Sequence, residues 1–403
     1  MSSGASGEKA VEPVLYGNWR QPARAGLGTL SGAATFVLFV VLVVTVVVNA
    51  SFGLFPAFFT ALVSGVFLVA LVRKDRHGVT LIQRIGEVVM FHRARRRGLT
   101  LYRSGPAGKS PWGTCQLPGV LASTRLGEFA DSWDRRFAVL AMPAVGSYAI
   151  VLGCQPDGAS LVDQDQIDLW VARWGMWLAD LGQEHGLVGA QAVVETTPDT
   201  GTRLRQEIQA NLVEDAPEVA RKVAGEVEMI YPSGTASVQV YIALTYQSAP
   251  RLGAKRRAME EFGADMASRI PGLTASLAGT GAGIVRPLTA GEVRRVVRTA
   301  YDPASQALFD AADLSGQTVD LSWAECGPAG HDVLRDRYYH DSGVSMTWMM
   351  TQAPKGQVQS DLLARLLAPQ KEIWRKRVAL MYRPVDVARA AEIVESDVNA
   401  ARA

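Results

Sequence analysis

From Ala25 to Val72 the chain carries no charged residue, a run of 48 positions. A bilayer crossing takes about 20 apolar residues, so a run of this length predicts two crossings. The first spans about Leu30 to Val48 around "TFVLFVVLVVTVVV"; the second spans about Phe55 to Val72, "FPAFFTALVSGVFLVALV". Between them "NASFGLFP" supplies Asn49, Gly53 and Pro56, a tight-turn composition. A cleaved signal peptide has a shorter apolar stretch, then a small-residue cleavage site and a polar mature chain. One long core helix is excluded by the turn and the length. The expectation is a transmembrane helical hairpin.

Its orientation follows from the flanks. Arg20 and Arg24 precede the first crossing, and Arg73, Lys74, Arg76, Arg84, Arg93, Arg95, Arg96 and Arg97 follow the second, against only Asp75 and Glu87. Lys and Arg are retained on the cytoplasmic side, so both termini are expected inside, in a multi-pass protein of the inner or plasma membrane. Neither crossing holds an ionisable residue, the usual mark of an ion or proton pathway.

Charge and chemistry-bearing residues narrow the class further. The net charge of +2 provides no global field for nucleic acid. Cys115, Cys154 and Cys326 are odd in number and far apart, which excludes a disulfide framework and a CxxC metal site and fits a reducing compartment. His77, His92, His185, His331 and His340 never fall at a metal-ligand spacing. No catalytic, cofactor-binding or metal-ligating residue is assigned.

Residues 79 to 97, "VTLIQRIGEVVMFHRARRR", repeat Leu81, Ile85, Val88, Val89 and His92 at three- and four-residue spacing, one apolar stripe of a helix that Gly98 stops. The cluster Arg93, Arg95, Arg96 and Arg97 is read either as a positive-inside anchor or as a contact for anionic lipid headgroups or a partner. Against lipid, each charge contributes about 1 kcal/mol. Aromatics are not interleaved with the arginines, which disfavours DNA.

"GPAGKS", Gly105 to Ser110, ends as phosphate-binding loops end. The full cradle needs a glycine at position 103, which is Arg103, and a helix after Ser110, where Pro111, Gly113 and Pro118 follow instead. It reads as a turn in a basic loop. "GTGAGIVRP" lacks the third glycine of a dinucleotide fingerprint, at Ile284, and also reads as a loop. "HDS" at His340, Asp341 and Ser342 sets triad residue types side by side, whereas a triad is assembled from separated positions; it reads as coincidence.

The remainder reads as alternating strands and helices. "RRFAVLAMP" and "SYAIVLGC" predict a hairpin turned at Gly146. Asp163 to Leu181 predicts a helix with Ile167, Trp170, Val171, Trp174, Trp177, Leu178 and Leu181 on a core-facing stripe. "LVGAQAVVET" predicts a strand, Asp215 to Ile230 a helix, and "ASVQVYIALTYQS" a strand. Beyond these the pattern predicts helices at Ala254 to Arg269 and Leu288 to Thr299, then loop over 311–343. A strand at "VSMTWMMTQAP", a helix at "SDLLARLLAP", a strand at "KRVALMYRP" and a closing helix follow. The expected fold is α+β: the hairpin, then cytoplasmic α/β sandwich subdomains with mostly antiparallel sheets. The divisions are 1–28 N-terminal tail, 29–72 hairpin, 73–132 basic stalk and Gly/Pro-rich linker, 133–250 first subdomain and 251–403 second.

"YGNWRQPARAGLGTL" before the hairpin, "RRRGLTLYRSGPAGKSPWGTCQLPGVL" after it, and "LARLLAPQ" with "KRVALMYRPVDVARAAEIV" at the end resemble a family of actinobacterial membrane proteins encoded with conjugative-transfer, type IV secretion-like genes. The hairpin is similar to the small inner-membrane hairpin subunit of type IV secretion systems. The soluble part, with Pro384, Asp386 and Ala390 in its ending, resembles the non-catalytic N-terminal domain of the conjugation ATPase. The resemblance implies a non-enzymatic, membrane-anchored structural subunit, oligomeric within its complex, that docks a separate ATPase and other membrane subunits. A component of the actinobacterial type VII secretion apparatus is the alternative within the same class. A nucleotide hydrolase using Lys109 and Ser110 is the alternative outside it.

Overall fold

The computed structural model describes residues 15–19, 32–72, 80–105, 108, 116–156, 158, 162–199, 201–213, 215–230, 236–249, 255–350, 356–359, 362–368, 370 and 372–402. A short strand β1 (Leu15–Trp19) precedes two apolar helices, α1 (Gly32–Phe52) and α2 (Leu54–Val72), which pack against each other. Gly53 alone makes the turn. Its φ of +84° lies in the left-handed region that glycine enters freely, and its N–H donates to the Asn49 carbonyl at 3.1 Å. Helix α1 therefore runs on through Asn49, where a turn was expected. Pro56 sits in the first turn of α2, where a missing N–H costs no helical hydrogen bond. At 1.5 Å per residue the helices are about 32 and 28 Å long. Thr35–Phe52 is long and apolar enough to cross a membrane, and Leu54–Val69 is a shorter apolar helix. Among the described side chains of the pair only Ala57 is buried.

Helix α3 (Leu81–Arg96) follows, then β2 (Leu101–Arg103), β3 (Arg125–Ala130), β4 (Arg136–Met142), β5 (Ser147–Gln155), α4 (Gln164–Leu181), β6 (Leu187–Pro198), α5 (Thr202–Asn211), α6 (Glu218–Ile230) and β7 (Ala236–Gln247). The rest comprises α7 (Met259–Leu277), β8 (Ile284–Pro287), α8 (Ala290–Tyr301), α9 (Ser305–Leu314), β9 (Gly330–Val333), β10 (Tyr338–His340), β11 (Gly343–Ser345), β12 (Gly356–Gln359), α10 (Ala364–Leu367), β13 (Lys376–Tyr382) and α11 (Val387–Arg402). The chain is α+β, mixed helix and antiparallel sheet behind an apolar helix pair.

The main sheet has the order β13-β6-β7-β5-β4-β3, with β8 pairing the far end of β5. Every pairing in it is antiparallel. The alternation read in "ASVQVYIALTYQ" sends Val240, Ile242, Leu244 and Tyr246 to one face, where α4 and α7 cover them. Phe262, Met266, Ile270 and Leu277 of α7 are fully buried there, beside Trp177 and Leu181 of α4. Each large apolar side chain buried in this way contributes about 1.5–3 kcal/mol. The other face packs Ala138 against Leu288, Ala290 and Val293 at the start of α8. That start is fixed by a capping box between Thr289 and Glu292. The sheet and its core take elements from both sides of residue 250, since α7, β8, α8 and β13 complete what β3 to β7 begin.

Several local expectations are corrected. Helix α7 does not stop at Arg269 but continues through Pro271 to Leu277. Pro271 is buried, and apolar contacts on both sides of it offset the roughly 3 kcal/mol a proline costs inside a helix. "GTGAGIVRP" is not all loop: a π-turn over Ala278–Ala282 leads into β8. The stretch 311–343 holds the end of α9 and the strands β9 and β10, with β11 beginning at its close. "VSMTWMM" is strand only as far as Ser345, and residues 346–350 have no regular structure. Helix α5 was not anticipated, and β3 lies in the stretch read as linker. Two smaller sheets complete the fold: β11-β10-β9-β2, and the pair β1-β12.

Candidate functional site

The region between the apolar helices and the main sheet is built around β2. Helix α3 ends at Arg96, Gly98 follows in a turn with φ +70°, and β2 then pairs antiparallel with β9. Arg103 is held in this strand: its Nη1 donates to the carbonyls of Tyr102 at 2.9 Å and His331 at 3.0 Å. Ser104 donates from both N–H and Oγ to Ala329 O at 2.8 Å. The chain then turns at Gly105, and Gly108 N–H donates back to Gly105 O at 3.0 Å. A Cβ at Gly108 would fall 1.7 Å from the Arg103 carbonyl oxygen, so only glycine fits. The described part of "GPAGKS" thus spends the Gly108 N–H on its own turn, where a cradle would aim it at phosphate. Lys109, Ser110 and Cys115 lie outside the described residues.

The small sheet stacks its rings. Tyr102 lies on His331 with centroids 5.4 Å apart, His331 on Tyr338 at 5.3 Å, and Tyr338 on His340 at 5.1 Å. His331 and His340 are direct register partners on β9 and β10, and both are buried. Nδ1 of His340 lies 2.5 Å from the Tyr301 carbonyl and Nε2 lies 2.6 Å from Ser345 Oγ. A carbonyl only accepts, so Nδ1 carries the proton, and in the neutral ring Nε2 accepts from the Ser345 hydroxyl. Asp341 and Ser342 are used elsewhere. Asp341 accepts from Arg298 at 3.0 Å and from Gly330 N–H at 3.1 Å, while Ser342 donates to Asp302 at 2.5 Å. The adjacent "HDS" residue types therefore form no triad with one another. Burial pulls the His331 pKa down, and Arg103 adds to that, so the ring is held neutral. His331 Nδ1 and Tyr338 Oη have no hydrogen-bond partner among the described residues.

A second polar cluster lies between the main sheet and α8. Glu195 on β6 is buried and takes Arg375 at 3.1 Å on one carboxylate oxygen and Arg377, its cross-strand partner, on the other. Arg375 also donates to Thr299 at 3.0 Å and Gln306 at 3.2 Å, which ties the sheet to α8 and α9. Burial pushes the nearby Tyr241 phenol up to about 12, with Glu195 adding to the rise. Burial also raises the thiols of Cys154 and Cys326 to about 11, so both remain protonated and unreactive at neutral pH. Among the described residues no group of three or more His, Cys, Asp or Glu is placed to hold a metal.

What these clusters do is join parts of the protein. The ring stack fastens the segment leaving the apolar helices to the body, and Glu195 fastens strands to helices. The surface carries the features that point outward. Arg93, Arg95, Arg96 and Arg97 are exposed at the end of α3. On the body, Val219, Val223 and Ile230 make an exposed stripe along α6, and Trp348 and Met349 are 81% and 76% exposed. No sequence pattern flagged the ring stack, because its members come from three separate strands, β2, β9 and β10.

Residues 23–83 match a family model described as "Domain of unknown function (DUF8461)", a stretch that contains both apolar helices and the first residues of α3. No curated protein and no solved structure matches the chain.

Proposed function

We propose that this protein is a membrane-anchored structural subunit whose helical hairpin holds a cytoplasmic docking body at the inner membrane. One observation carries the hairpin. Strand β1 lies before α1, strand β12 lies in the body after α2, and the two are hydrogen-bonded partners. Paired strands must share one side of any membrane. A single crossing by α1 would separate them, whereas two crossings, by α1 and α2, return the chain to the side it left. The uncharged composition of both helices and their outward-facing Phe, Val and Leu side chains suit lipid contact.

The body is read as a docking unit because its buried polar clusters are structural and its unpartnered apolar surface lies on α6 and at 346–350. Exposed apolar patches of this kind mark interaction sites. From the resemblance to conjugative-transfer proteins we infer a separate secretion or conjugation ATPase as the partner, with the arginines after α3 meeting anionic headgroups. The alternative within type VII secretion has the same anchor and differs in the neighbouring genes.

The anchor is tested by fractionation: the full chain should stay with membranes through an alkaline carbonate wash, and a reporter fused after Ala403 should be active only in the cytoplasm. Recovery in the soluble fraction, or an exterior-active fusion, would overturn it. The docking role is tested by co-purifying the detergent-solubilised chain with its host's secretion or conjugation ATPase; a chain that never retains that ATPase is no docking subunit for it.

A further inference from the structure

We infer that α3 lies in the membrane interface as a third lipid-contacting element, its apolar stripe at the acyl boundary and its arginines among anionic headgroups. The inference rests on the hairpin reading above and adds a helix that does not span. Leu81, Ile85 and Val89 recur every fourth position, which puts them on one face, with Met90 beside them; Val89 is 59% and Met90 73% exposed. The side that carries Val88, Phe91 and Ala94 is the more covered one, and α3 packs against α2. The body leaves the apolar face open.

Two features choose lipid as its cover. Helix α3 begins close behind the end of α2, so its first turns stay beside the boundary where α2 leaves the bilayer. The helix is also graded along its length: the exposed apolar residues Leu81, Ile85, Val89 and Met90 precede Arg93, Arg95 and Arg96, which with Arg97 crowd its C-terminal end, and Glu87 is the one acid on it. That cluster matches an anionic surface and would repel the same helix of a second copy. Exposed apolar side chains followed along the same helix by a cluster of arginines suit an element set in the headgroup layer, where apolar area and basic charge both favour anionic lipid.

The test uses the full chain in vesicles of phosphatidylcholine with or without phosphatidylglycerol. Cys154 and Cys326 are buried and stay in place, with Cys115→Ser removing the remaining thiol. A polarity-sensitive dye is attached to Ile85→Cys, Val89→Cys, Glu87→Cys or Val43→Cys, and spin-labelled lipids report depth. Dyes at 85 and 89 should be quenched several-fold more than the dye at 87 by lipids labelled near the headgroup, and phosphatidylglycerol should strengthen this. Replacing Arg93, Arg95, Arg96 and Arg97 together by Gln should remove the phosphatidylglycerol effect. A quenched dye at 43 with unquenched dyes at 85 and 89 overturns the inference and leaves the hairpin standing. An unquenched dye at 43 overturns the hairpin and this inference with it. Ready disulfide formation between two copies through Val89→Cys would assign the stripe to self-association and also overturn it.

Discussion

Asn18 on β1 is the register partner of Gln357 on β12, and both apolar helices lie between them in the chain. Directly opposed residues of an antiparallel pair have Cα atoms about 4.5–5.5 Å apart, inside the range a disulfide spans. Asn18→Cys with Gln357→Cys should therefore cross-link within one chain on mild oxidation. The product should migrate faster than the reduced chain on a non-reducing gel. Absence of the cross-link would remove the pairing, and a cross-linked dimer would mean that β1 is exchanged between copies.

Glu195 faces two arginines from a site where its side chain is 4% exposed. Removing one partner of a buried ion pair strands the other charge, at about 3–5 kcal/mol. Arg377 is 34% exposed and water takes over part of that, so Glu195→Ala should cost about 3 kcal/mol in urea melts. A loss below about 1 kcal/mol would place the pair among solvated surface bridges.

His331 links stability to pH. Burial lowers its pKa, Arg103 and His340 lower it further, and Asp332 opposes them; the rings packed against it are Tyr102 and Tyr338. A neutral buried imidazole gives its full stabilisation above the unfolded pKa of about 6.5. That stabilisation is lost as the pH falls from there through the lowered folded value, because the unfolded chain takes up the proton first. The Tm should fall between pH 7 and pH 5, and His331→Gln should flatten the profile. An unchanged slope in the variant would assign the acid sensitivity to other groups.

Phe262 on α7 stacks on Tyr148 of β5 at 4.7 Å and is fully buried. If the core is continuous across residue 250, Phe262→Ala should cost about 3–5 kcal/mol. It should move the whole body to lower denaturant in one transition. Two separate transitions, only one of them shifted, would instead show two independent subdomains.

Nucleotide binding is expected to be absent. Calorimetry of the detergent-solubilised chain should show no magnesium-dependent ATP heat, and Lys109→Ala should change nothing. Saturable binding that Lys109→Ala abolishes would restore the hydrolase alternative and end the purely structural one.

The elements legible in the sequence are those written in local periodicity. The uncharged run from Ala25 to Val72 needed only its length, the β4–β5 hairpin only two alternating runs and Gly146, and α4 only the spacing of Trp170, Trp174 and Trp177. The helix read as ending at Arg269 runs on through Pro271 to Leu277, because local spacing does not count the buried contacts of Phe262, Met266, Ile270 and Leu277 on the two sides of the proline. The outward arginines of α3 were legible; the ring stack was not.

By itself, the sequence determined which segments shun water, because hydrophobic spacing acts within a few residues and needs no partner. Only the tertiary structure decided the pairings: β1 with β12, β13 with β6, His331 against His340, and Glu195 between Arg375 and Arg377. Their physical reason is common. A buried charge or an edge strand must find a complement somewhere in the chain, and the position of that complement is a property of how the core closes. The same closure determines what is left uncovered, so the open faces of α3 and α6 became visible only once the body had taken its own apolar residues inside.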